Sequence, residues 1–393
     1  NKAEPASNIQ NRLRSLRMAK GLSQAELAAK AGITRQAVYA IEANKYLPTT
    51  AVALHLAGVL DCGVEDLFSL VSTGEVIEGE LIGARKAGPA DSARMRVKVA
   101  KVGERIVVRP VATLGDILNY TVPADGLIIG NARASDRMAR SGARVQVRLM
   151  RDRSIIEQEI AVAGCDPAIF LAGEYLRRRQ EKTTLVGWTL GSGAALDALK
   201  RREVHVAGLH VVDAKSGESN LPYLRKHLMG DGFTVVTFAT WEEGLIVRAS
   251  NPKGIREVAD LARKDIRLVN REDGAGARLL LDRRMAASGL KPAQVNGYKR
   301  YAASHFEVAR LIAEGQADAG VGIGSAARLL GLDFIPLQRE RYDLVIPTPF
   351  LTGQPALANL LDTIVSRAFR TEIEALGGYD TRETGKVHSL REA

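Results

Sequence analysis

The sequence predicts a multidomain chain with an all-α segment at the front, a small β-rich middle segment and an α/β segment at the back. Three observations carry this. Residues 8–70 read as short helices with brief turns and almost no β-branched runs. From residue 71, valines and isoleucines alternate with charges, as in RMRVKVAKVGERIVVRP, which fits strands at period two. From about residue 154, apolar strands such as IIEQEIAVAG and DIRLVN alternate with helical stretches such as AIFLAGEYLRRR and EVARLIAEG, which argues for a parallel sheet covered on both faces. The boundaries are drawn at 1–70, 71–152 and 153–393, with the first linker inside TGEVIEGE.

A length of 393 residues suits two or three domains. The net charge of +10 hints at a polyanionic partner. Two cysteines, Cys62 and Cys165, exclude a disulfide framework and a cysteine-cluster zinc site, and suit a reducing compartment. No apolar run reaches the ~18 residues of a membrane span and the polar N-terminus lacks a signal-peptide core, so the expected location is the cytoplasm.

In the first segment, Ser23 with Glu26 three residues on is a capping box. Gly32 can take the left-handed conformation of a helix end, and Thr34 can cap the next helix. Val38 and Ile41 turn one face inward and leave Arg35, Gln36 and Tyr39 outward. Two short helices on a three-residue turn are a helix-turn-helix. Arg can grip guanine O6 and N7, and Gln can do the same on adenine. Gln24, Asn44 and Lys45 sit where phosphate contacts fix the register, and Thr34 joins this DNA-facing set. The run GLSQAELAAKAGITRQAVYAIE resembles the Cro/repressor-like (XRE) family through Phe68, which implies double-stranded DNA as partner. Cys62 reads as core packing.

In the last segment, glycine-containing loops close several strands: Gly164-Cys165-Asp166-Pro167, Gly191-Ser192-Gly193, Gly274-Ala275-Gly276 and Gly324-Ser325. Ligands of open α/β sheets sit beyond the carboxyl ends of strands, where helix N-termini favour anions. The dinucleotide fingerprint fails at its third glycine, and no GxxxxGK[ST] run exists. No HExxH and no paired Cys/His spacing argue for a metal site. The residues expected at the ligand are Cys165, Asp166, Ser192, Gly193, His210, Arg271, Gly274, Ala275, Gly276, Arg278, His305, Ser325 and Tyr342. Several carry a plain alternative. Arg271 can pair with Glu272 or Asp273, Asp166 can cap a helix, and His210 can be a structural histidine. Cys165 is either a redox or soft-metal sensor or a buried small hydrophobe. Trp188 and Trp241 read as core. Cys165 with His210 or His305 could be drawn as nucleophile and base, but no spacing joins them, so no catalytic set is expected.

The phrases VAGCDPA, VAGLHVVDAKSGESNLPYLR, EEGLIVRASNPKGI, DIRLVNREDGAGARLLLD, SHFEVARLIAEGQADAGVGIGSAA and GLDFIPLQRERYDLVIP resemble, in order, the periplasmic-binding-protein-like domains of cytoplasmic regulators and molybdopterin-biosynthesis proteins. The resemblance implies a two-lobed domain closing on a small effector, an oxyanion such as molybdate or tungstate, with no cofactor. Relatives commonly carry Gly-Ser-Gly-Thr-Arg where this chain has Gly274-Ala275-Gly276-Ala277-Arg278, so two hydroxyl donors are absent. The expected function is a ligand-responsive transcription regulator, a homodimer or higher homo-oligomer. The alternative is a molybdenum-cofactor-related enzyme or accessory protein that regulates its own gene.

Overall fold

The computed structural model describes residues 9–70, 74–83, 95–111, 122–131, 142–179, 183–228 and 232–390. At the front, helices Leu13–Ala19, Gln24–Ala31, Arg35–Glu42, Thr50–Leu60 and Val64–Leu67 enclose Leu13, Leu27, Val38, Ile41, Leu56 and Leu60. The boundaries follow local chemistry. Ser23 Oγ accepts from Glu26 N at 3.2 Å while Ser23 N donates to the Glu26 carboxylate at 2.7 Å. Gly32 ends that helix at φ 68°. Cys62 packs against this core, partly buried. One feature is not helical: Ile9–Asn11 pairs antiparallel with Phe68–Leu70, joining the two ends of the domain.

Strands Val76–Leu81, Arg96–Val102, Arg105–Pro110, Gly126–Asn131 and Arg144–Leu149 form a closed barrel. Closure leaves no free edge. The barrel is not a loose linker. Its Ile82, Ala100, Val102 and Val107 share one apolar core with Ala161, Ala163, Trp188, Leu196 and Ala207 of the following domain. Buried Asp125 binds Lys98 Nζ at 2.6 Å and Arg151 at 2.5 Å, and Arg151 reaches on to Glu159 at 2.6 Å, at the edge of the last domain. A buried carboxylate held by two cations and a backbone N–H is compensated for its lost hydration.

His205 sits at this junction. Its Nδ1 accepts from Ala161 N at 2.9 Å, and its ring meets Phe350 edge-on at 5.2 Å. Burial lowers its pKa to about 4. The fold therefore favours the neutral ring. Its stabilisation is complete above the unfolded value of about 6.5 and is lost as pH falls toward about 4, at roughly 1.4 kcal/mol per unit. Urea unfolding between pH 7 and 5 should show this slope, and His205→Asn should flatten it. An unchanged slope in the variant contradicts the assignment.

The last domain departs from the parallel sheet expected. Parallel strands Ile160–Gly164, Leu185–Thr189 and Val206–Leu209 build one lobe. Leu268–Arg271, Tyr301–Ala302 and Ala319–Ile323 build the other, also in parallel. Two antiparallel 15-residue strands, Phe233–Val247 and Asp333–Pro347, run through both lobes, from Phe233 opposite Pro347 to Val247 opposite Asp333. Their register shifts between Thr237 and Ala239 and between Glu243 and Gly244, so the pair bends where the lobes meet. No helix among the described residues is long and apolar enough to cross a membrane.

Candidate functional site

Strand-to-helix connections from both lobes meet at the two crossing strands. Cys165 follows Ile160–Gly164, and His210 follows Val206–Leu209, both on the first lobe. His305 is the first residue of helix His305–Ala313 on the second lobe, where Ser304 caps the helix by accepting from Glu307 N at 3.0 Å. Glu243 and Glu340 come from the crossing strands themselves. All five are at most 2% exposed, so the chamber, a buried cluster of these side chains, is shut off from solvent.

The side chains are close. His210 Nδ1 lies 2.7 Å from a Glu340 oxygen and 3.5 Å from Glu243. His305 Nδ1 lies 3.8 Å from the other Glu243 oxygen. Cys165 Sγ and one ring nitrogen each of His210 and His305 all lie within 4.8 Å of one another, as do donor atoms of His210, Glu243 and Glu340. Trp241 and Tyr342 wall the space, their ring centres 5.4 and 6.2 Å from that of His210. Glycines admit Tyr342: a Cβ on Gly164 or Gly208 would sit on its hydroxyl. Among the described residues, neither Glu243 oxygen and neither His305 nitrogen has a hydrogen-bond partner.

The electrostatics are divided. Burial opposes a charge on His210, but Cys165 and Glu243 outweigh it and raise the ring's pKa well above its ordinary value. Burial, then Arg271 and His210, hold His305 neutral far below the usual histidine range. Burial, reinforced by Glu243, pushes Glu340 up to about 7.

The other expected residues divide into supports and side branches. Ser192 Oγ accepts from His210 N at 3.1 Å and donates to His210 O at 3.3 Å, so it fixes the histidine's backbone. Gly193 N donates to Gly274 O at 3.2 Å, a main-chain bond between the lobes. Gly274 turns at φ 82°, and buried Ala275 caps helix Gly276–Ala287. Gly276 is there for close approach: a Cβ would land on the His210 carbonyl oxygen. Asp166 caps the helix that follows, accepting from Ala168 N, and also takes the Tyr379 hydroxyl, both at 2.8 Å. Ser325 lies buried near the start of Gly324–Leu329.

The two arginines are largely spoken for. Arg271 donates to Glu272 and to the carbonyls of Ala302 and Ala303, leaving Nη1 without a partner among the described residues. Arg278 pairs with Asp282 at 3.1 Å, donates to Arg271 O, and lies over the Tyr298 ring at 4.2 Å. The expected residues did not include Glu243 and Glu340, which the structure places beside His210. The available signal was a carboxylate inside a long apolar strand, in WEEGLIV and QRERYDLVIP. Trp241, read as core, is core: the ring is buried in the main apolar cluster and stands edge-on to His210.

In the helix-turn-helix, Arg35, Gln36 and Tyr39 are exposed along helix Arg35–Glu42. Thr34 caps it, accepting from Ala37 N at 3.1 Å. Lys45 lies over the Tyr39 ring at 5.0 Å. Gln24 and Asn44 also serve internal bonds: Gln24 donates to Glu42 at 2.8 Å, and Asn44 accepts from Asn11 at 2.9 Å.

Comparison with known proteins finds two matching families. Residues 13–67 match the helix-turn-helix family model, and residues 173–365 match the PBP superfamily domain. The chain is 33% identical over 257 residues to the uncharacterized protein YvgK of Bacillus subtilis (strain 168), covering 65% of this chain and 82% of that one. Its front is 37% identical over 60 residues to an uncharacterized HTH-type transcriptional regulator of Archaeoglobus fulgidus, 15% of this chain and 86% of that one. Among solved structures, the tungstate ABC transporter from Geobacter sulfurreducens aligns with a TM-score of 0.42 at 14% identity, over 56% of this chain and 98% of that chain. The ligand in that description is that protein's own.

Proposed function

Because the chain belongs to the PBP superfamily through its ligand domain and carries an N-terminal helix-turn-helix domain, we propose that it is a transcription regulator whose grip on DNA is set by a small effector held between the lobes. The observation that supports this most is the chamber itself. Cys165 and His210 from one lobe face His305 from the other, across carboxylates on the bending strands. A ligand there touches both lobes and favours closure by the difference in its affinity for closed and open forms. The first lobe shares a core with the barrel, so its motion carries the barrel with it. On this reading the protein works in the cytoplasm as a homodimer on paired half-sites about one helical turn apart.

An oxyanion such as molybdate or tungstate is a second reading for the effector. Helix N-termini at Ser192, Gly276 and His305 and the spare Arg271 Nη1 support it. Glu243 and Glu340, at the centre of the chamber, oppose it, because carboxylates repel an anion. Selection of duplexes from a random DNA pool by the full chain tests the DNA half of the proposal. Recovery of a shared motif supports it, and recovery of unrelated sequences refutes it.

A further inference from the structure

We propose that the interlobe chamber is a transition-metal site for a dication of the zinc class, with Cys165 Sγ, one ring nitrogen each of His210 and His305, and a Glu243 oxygen as ligands. As an effector assignment it deepens the regulator reading and rests on it.

The donors fit. A thiolate, two imidazoles and a carboxylate suit a borderline-soft ion and reject magnesium or calcium, which take oxygen ligands. Tetrahedral bonds of about 2.0–2.3 Å place ligand atoms about 3.3–3.8 Å apart. His305 Nδ1 and Glu243 Oε1, at 3.8 Å, form such an edge, and the donor atoms of Cys165, His210 and His305, within 4.8 Å of one another, draw in by about 1 Å to form the others. Glu340 has a different task. It holds His210 Nδ1 at 2.7 Å, which leaves Nε2 for the metal and orients the ring, the usual outer carboxylate of a metal-bound histidine.

Energetics point the same way. Fully buried polar atoms without partners are costly, and among the described residues both nitrogens of His305 and both oxygens of Glu243 lack one. Charge favours a cation. The chamber brings together a thiol that ionises on metal binding and two carboxyls, which outnumber the one buried cation whose charge reaches His305, Arg271, itself paired with Glu272. The ligands come from both lobes and one crossing strand. Metal uptake is therefore lobe closure, and an open form would hold at most half the set.

The test uses the full chain, free of any affinity tag and stripped with a chelator. Cobalt(II) should bind one per chain and give a thiolate-to-cobalt absorption band that Cys165→Ser removes. Zinc should displace it and raise Tm. His305→Ala and Glu243→Gln should each weaken zinc by more than about tenfold, and Glu340→Gln by about tenfold with the band retained. Unchanged far-ultraviolet circular dichroism in Cys165→Ser shows that it folds. No cobalt band, or zinc binding by Cys165→Ser and His305→Ala equal to that of the parent, overturns the site. DNA affinity is read in parallel. Zinc binding without any change in DNA affinity overturns its role as effector. Molybdate alone changing DNA affinity, with no zinc bound, overturns the metal and leaves the regulator reading standing.

Discussion

Replacing Gly276 by alanine is expected to hold the two lobes apart. Gly276 is the first residue of helix Gly276–Ala287, and its Cα faces the main chain of His210 on the other lobe. An added methyl would coincide with the His210 carbonyl oxygen and lie 2.6 Å from Cε1 and 2.7 Å from Nδ1 of the same ring. A flexible side-chain tip could swing away. A carbonyl in a main chain pinned by Ser192 on both sides cannot. Overpacking of this kind costs about 1–3 kcal/mol, and the cheapest relief is to open the cleft. The closed state should lose about tenfold to a hundredfold in population. Small-angle scattering should show a larger radius of gyration for Gly276→Ala than for the parent, and any ligand that stabilises the parent should bind correspondingly less tightly. Gly58→Ala is the control, because nothing lies within 4 Å of its added methyl. Equal radii for parent and Gly276→Ala would show that the lobes do not meet at this contact.

Arg35→Ala is expected to cost about 1–3 kcal/mol on the preferred DNA sequence and to relax base choice at one position. Arg35 is the first residue of helix Arg35–Glu42, and it is exposed. Lys45→Ala should act differently. It should weaken all duplexes about evenly and lower the salt dependence by about one ion, as a phosphate contact does. Anisotropy titrations of preferred and scrambled duplexes at several salt concentrations separate the two. Identical profiles for both variants would remove the groove assignment. Gln24 is a poorer probe of the groove, because its bond to Glu42 also supports the domain through Arg17.

What could be read in advance was local. The Ser23–Glu26 capping box, the Gly32 turn and the Thr34 cap each lie within four residues of their partners, so the helix-turn-helix was legible in full. The barrel was not. Its register depends on pairings such as Glu80 with Val107 and Val76 with Arg148, which no local pattern specifies. The ligand domain was half legible. Cys165, His210 and His305 stand at strand-to-helix connections, where glycine and polar residues interrupt apolar runs. Glu243 and Glu340 stand inside strands, where a charge ordinarily means an exposed face. Here both are buried, and a register shift between the two long strands falls at Glu243. Arg278 misled for the opposite reason. Its place beside two glycines suggested an anion grip, but Asp282 and Tyr298, four and twenty residues on, claim its guanidinium.

The most direct test of the account is the affinity of the full chain for its selected DNA duplex, measured by anisotropy with the protein metal-stripped and then zinc-loaded. Coupling between the chamber and the helix-turn-helix predicts a change of about fivefold or more, abolished in His305→Ala. A dissociation constant that is the same in both states, and is equally indifferent to molybdate, would contradict it.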